Sequence, residues 1–140
     1  MPNAVTQTVL IQGSRKYINY ITLVSDGSEE TDLVVYDSSV VCAAVGIPDN
    51  LNASIEKIHI SAYKAANVGQ IVLEFDAATD VLAMPFTIAA AGETHYHFDF
   101  SEFGGLKNYA GTGRTGDVLL TTLGLDTGDS IMIVLEMRVS

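Results

Sequence analysis

The chain has no tryptophan, one cysteine, three prolines and only seven lysines and arginines among its 140 residues. The lone cysteine, Cys42, has no partner for an internal disulfide, so a bridge-held scaffold is excluded. Its setting in the apolar run Val40-Val41-Cys42-Ala43-Ala44-Val45 reads as a buried, inert thiol rather than a nucleophile. The seven basic residues are scattered from Arg15 to Arg138 and face seventeen acidic ones, for a net charge of -10. Phosphate backbones need clustered Lys and Arg, so no nucleic acid is expected as a partner. Without Trp, a sugar-stacking surface would rest on the six tyrosines. No apolar run reaches the roughly 20 residues of a spanning helix, so no membrane partner is expected. The opening Met1-Pro2-Asn3-Ala4 lacks the basic and then apolar segments of a signal peptide.

What is abundant is alternation. In residues 130–139, Ile131, Ile133, Leu135, Met137 and Val139 point one way, while Met132, Val134, Glu136 and Arg138 point the other. That is the period of a strand packed on a core. Residues 117–122 form a second apolar run, and the turn-rich segment 123–129 joins the two into an expected hairpin at the centre of the core. Residues 5–12 and 16–25 form another expected hairpin across Gly13-Ser14-Arg15, its second strand bulky enough to be covered on both faces. Further strands are expected at 31–36, 53–63, 70–76, 81–91 and 94–100. In 53–63, Ile58, Ile60 and Ala62 face one way and Ile55, Lys57, His59, Ser61 and Tyr63 the other; in 94–100, Tyr96, Phe98 and Phe100 point inward and His95, His97 and Asp99 outward. Pro85 marks its strand as an edge or a break. The apolar start of 38–52 reads as a strand end or one helical turn before a loop, and 101–116 is the longest loop. Eight or nine short strands with no convincing helix, in a chain of one-domain size, predict an all-β fold. The expected architecture is a single antiparallel β-sandwich of jelly-roll type over residues 1–140.

Motifs for chemistry are sparse. Gly111-Thr112-Gly113-Arg114-Thr115-Gly116 spells the dinucleotide fingerprint, but it follows a loop and precedes a β-run, whereas phosphate binding needs a strand before it and a helix after it. It reads as a surface loop. His95-Tyr96-His97 followed by Glu102, with His59 upstream, partly matches a cupin metal motif, because histidines two apart on a strand share a face. The glycine spacing and the second cupin motif are missing, and the plainer reading is a solvated strand face. Ser25, Ser38 and Ser54 lie in turns or at strand ends without a nucleophile elbow. Glu29-Glu30 sits in a solvated turn with no apolar wall to raise a pKa. No catalytic, cofactor-binding or metal-ligating residue is therefore assigned, and no enzymatic activity is expected.

Read as ordered blocks, the chain resembles small virion proteins of tailed bacteriophages. The blocks are 15–20 with 24–32, 55–58, 72–79, 99–106, and above all Thr115-Gly116-Asp117-Val118-Leu119-Leu120-Thr121-Thr122 continuing through Gly128-Asp129-Ser130 to Glu136-Met137-Arg138. The resemblance implies a jelly-roll capsid decoration or cement protein, made in the host cytoplasm and placed on the outer surface of the head. The implied partners are the major capsid protein and further copies of the chain, as a dimer or trimer. Expected contact regions are residues 1–6, the loop 104–116 with Lys107, Tyr109 and Arg114, and the tip 138–140. The histidine pair His95 and His97 departs from the group. Two alternatives stand beside this expectation: a tail- or fibre-associated adaptor β-sandwich, and a degenerate cupin-like metal-binding protein using His95, His97, Glu102 and His59.

Overall fold

A computed structural model describes residues 4–13, 15–49, 51, 53–89 and 91–139. The strands among them are β1 (Ala4–Gln12), β2 (Lys16–Val24), β3 (Leu33–Tyr36), β4 (Ser54–Lys64), β5 (Gly69–Phe75), β6 (Val81–Ile88), β7 (Gly92–Asp99), β8 (Leu106–Lys107), β9 (Val118–Leu123) and β10 (Ser130–Arg138), with one helix, α1 (Ser38–Ala44). One sheet has the order β1-β2-β10-β4-β7, with β8 paired to β4; the other has the order β3-β9-β5-β6. Every pairing is antiparallel. The pairs nest from the middle of the chain outward: β5 with β6, β4 with β7, β3 with β9, and β2 with β10. Alternate pairs fall in opposite sheets, as in a long hairpin ribbon wound around a core, and this is the jelly roll expected from the sequence.

The nesting corrects the expectation for the chain's end. Segments 117–122 and 130–139 are both strands but not a hairpin, because β9 pairs with β3 and β5 whereas β10 lies between β2 and β4 in the other sheet. Their connector crosses the edge of the sandwich and is tied to the end of β2, where Ser25 N–H donates to the Asp129 carbonyl and Gly128 N–H to that of Ser25. The inward rows Val118, Leu120 and Thr122 of β9 and Ile131, Ile133, Leu135 and Met137 of β10 are buried from opposite sheets. By contrast, β1 and β2 do form the expected hairpin.

Two other expectations change, and one left open between a strand end and a helical turn resolves to a helix. Ile55 is fully buried with Ile58 and Ile60, not turned outward. A β-bulge is responsible: Glu136 stands opposite Lys57 but Met137 stands opposite Ile55, so Glu56 is the extra residue and the alternation flips. β2 is covered on one face only, with Tyr17, Asn19, Ile21 and Leu23 buried and Ile18, Tyr20 and Thr22 half-buried on the outside. The run after Tyr36 is a helix. Asp37 caps it by accepting from Val40 N–H at 3.3 Å, and Val41 and Cys42 are buried beneath it. Cys42 is thus the buried thiol the sequence predicts. Pro85 lies on β6, an edge strand, where a missing N–H costs no central ladder bond.

Candidate functional site

Where β4 meets β7, the outer face of the larger sheet carries most of the ionisable side chains that the sequence singled out. Register places Lys57 opposite Asp99, His59 opposite His97, Ser61 opposite His95, and Tyr63 opposite Glu93. On the far side of β4, β10 sets Glu136 beside Lys57 and Val134 beside His59. The imidazoles of His59 and His97 bring their Nδ1 atoms to 3.3 Å, with ring centroids 5.5 Å apart and planes at 75°. His95 is engaged elsewhere: its Nδ1 lies 3.0 Å from Ser61 Oγ and its Nε2 3.4 Å from Glu93 Oε2. The Asp99 carboxyl is held below the usual carboxylate range, first by the Ser101 hydroxyl and N–H and further by Lys57, 4.0 Å away. A shallow hollow lined by Thr22, Ser61, Tyr63, Glu93 and Met132 lies on the same face.

The cupin-like set His95, His97, Glu102 and His59 is therefore divided by the fold. His97 meets His59, across the ladder, rather than His95, its neighbour along the strand. Glu102 sits in a 3-10 turn, Ser101–Phe103, beyond the end of β7. Among the described residues, no hydrogen bond or ion pair joins Glu102 to a histidine. Outward alternation in two strands was legible in the sequence. The β4–β7 register, which makes a pair of His59 and His97, was not.

Two features of the other sheet complete the inventory. Asp32, Glu74 and Asp80 bring carboxylate oxygens within 4.8 Å of one another. Burial, and then the charges of Asp32 and Asp80, push the Glu74 carboxyl up. Sequence reasoning missed this cluster, whose members reach one another only through the strand pairing; the sole local signal is the outward position of Glu74 between Leu73 and Phe75. In the GxGxxG loop, Gly113 and Gly116 have φ of 80° and 85°. A Cβ on Gly113 would lie 2.8 Å from the Ala78 nitrogen, and one on Gly116 2.9 Å from the Ser38 side chain. These two glycines let the loop lie against its neighbours, a packing reason for the motif. Thr115 N–H donates to the Asp76 carbonyl and Ala78 N–H to that of Thr112, which fixes the loop to the end of β5.

No protein-family model matches the sequence, and no curated protein does. Among solved structures, a Bacillus endospore appendage protein, from a family of disulfide-linked pili, aligns over 99% of this chain and 89% of its own at 10% identity, with a TM-score of 0.40. The carbohydrate-binding module TmCBM61, solved with beta-1,4-galactotriose, aligns over 97% of this chain and 70% of its own at 10% identity, with a TM-score of 0.34. Likenesses this shallow assign no function.

Proposed function

We propose that this jelly roll is a structural protein of a tailed-phage virion that decorates the outside of the head, bridging neighbouring major capsid subunits, and that it is not an enzyme. The observation that carries the reading is β1. Among the described residues this strand of nine pairs only with β2, so its far edge presents backbone groups without a strand partner there, and eight of the nine residues are exposed. Val9, Leu10 and Ile11 follow one another in it with 44%, 57% and 47% of their surface accessible. A long, apolar, uncovered edge is a liability in a free protein and a ready surface for strand pairing with a neighbour. The ordered sequence blocks support the virion setting, and a net charge of -10 suits a protein on an outer shell rather than one against packaged DNA.

The contact regions expected from sequence are adjusted accordingly. Residues 4–6 belong to β1, and the contact strip is extended to its C-terminal half; residues 1–3 and 140 lie outside the described residues. Lys107 stays exposed in β8, whereas Tyr109 is partly committed to its own domain: its ring meets Phe75 edge-on at 6.0 Å and its hydroxyl donates to the Leu82 carbonyl. Binding the assembled shell in preference to free subunits would stabilise it by mass action, with dimers or trimers repeating the contact about local axes. The test adds purified protein to expanded heads that lack it. Wild-type protein is expected to bind and raise the temperature at which the heads come apart, and Leu10→Glu to fold but not bind. Absence of wild-type binding refutes the proposal.

A further inference from the structure

We propose that His59 and His97 form a two-histidine site for a divalent transition-metal ion on the outer face of the β4–β7 ladder. The two Nδ1 atoms stand 3.3 Å apart. That is at the long end for a hydrogen bond, since N–H···O bonds run about 2.7–3.2 Å. It is the spacing of two ligands on one ion: a zinc ion about 2.1 Å from each nitrogen would see them at an angle of about 104°, close to tetrahedral. Both residues project from directly opposed ladder positions, so two backbones rather than one flexible loop set their separation. Neither ring has another hydrogen-bond partner among the described residues, and both are exposed, so an ion can reach them from solvent. Two neutral imidazoles suit zinc, nickel or copper and leave the remaining coordination positions to water.

The surroundings narrow the site to this pair. His95, on the adjacent row, is turned to Ser61 and Glu93. On the other adjacent row Asp99 faces Lys57 at 4.0 Å and also interacts electrostatically with His97, which adds a carboxylate beside the pair, while Val134 of β10 adjoins His59 and brings neither charge nor ligand. The site is thus different in membership from a cupin set of His95, His97 and Glu102, and it stands apart from the capsid reading.

The experiment uses the full chain without a histidine tag, titrated calorimetrically with zinc chloride and, separately, nickel chloride in neutral buffer. One ion per chain is expected. His59→Gln and His97→Gln should each weaken binding more than about tenfold, since even groups that merely orient a ligand cost that much. His95→Gln should bind as wild type. Circular dichroism confirms that each variant is folded; all three positions are exposed, so folding is expected to persist. No binding by the wild type, binding unchanged by both pair variants, or an equal loss in His95→Gln would each overturn the proposal.

Discussion

Lys64 and Asp129 show how much one pair of side chains can determine at the residue scale. Both are buried, and Lys64 Nζ donates to Asp129 Oδ2 and to the Gly124 carbonyl, each at 2.7 Å. Asp129 also accepts N–H groups from Ala65 and Asp126. Burial pushes the Asp129 carboxyl up, but the lysine and the two amides outweigh it and hold the pKa below its usual value. The pair fastens the end of β4 to the connector between β9 and β10, and Gly69 leaves room for the lysine stem, since a Cβ there would lie 2.9 Å from Lys64 Cδ. Asp129→Ala leaves the buried lysine with only the more distant and half-exposed Asp126 carboxylate, 3.8 Å away, so it is expected to cost up to about 3–5 kcal/mol in chemical denaturation. Adding Lys64→Met to that variant should restore part of the loss, and a strictly additive double variant would show that the ion pair is not the cause. In the sequence, Gly128-Asp129-Ser130 reads only as a turn. Nothing local tells that its aspartate is placed over a buried lysine 65 positions away.

At the scale of elements, legibility followed the physics of each strand. Strict alternation in β10 and β7 identified their faces, because burial on one side imposes a period of two. Pro85 pointed to an edge or a break, and β6 is an edge strand. The bulge at Glu56 was hidden, since it is a relation between two strands, and so was the separation of β9 from β10, which depends on which sheet each joins. Helix α1, with seven residues, is too short to show a helical period. The candidate site was legible as three histidines on outward strand positions, but not as one close pair. β10 is the strand on which the larger sheet depends, lying between β2 and β4 with Ile133 buried at its middle. Ile133→Asp places an unpaired carboxylate there, and loss of the cooperative unfolding transition is expected. A soluble variant with wild-type near-ultraviolet circular dichroism would mean that the assigned faces are reversed.

For the molecule as a whole, the carboxylates pull stability in two directions with pH. Glu74 and Asp117 have pKa values raised in the folded state, Glu74 by burial and by Asp32 and Asp80, Asp117 by burial and the aspartates around it. The folded chain therefore binds these protons more tightly than the unfolded chain, and the stability they contribute at low pH is lost as pH rises through their folded pKa values. Asp129 is lowered, so its contribution is present above the unfolded pKa of about 4 and is lost as pH falls through the folded value. The net charge of -10 at neutral pH adds self-repulsion that shrinks on acidification. Together these effects place the stability maximum on the acidic side of neutrality rather than above it. Thermal unfolding across this pH range is the suitable measurement. The midpoint should be higher at about pH 5 than at pH 8 and lower again at pH 3, and added salt should raise it more at pH 8 than at pH 5. Adding Glu74→Gln should flatten the fall between pH 5 and 8 by less than about 1 kcal/mol, because Glu74 is only half-buried and solvent screens its neighbours. A midpoint that climbs steadily from pH 5 to 8 would mean that the acidic cluster and Asp117 are not strained by their surroundings in the folded protein.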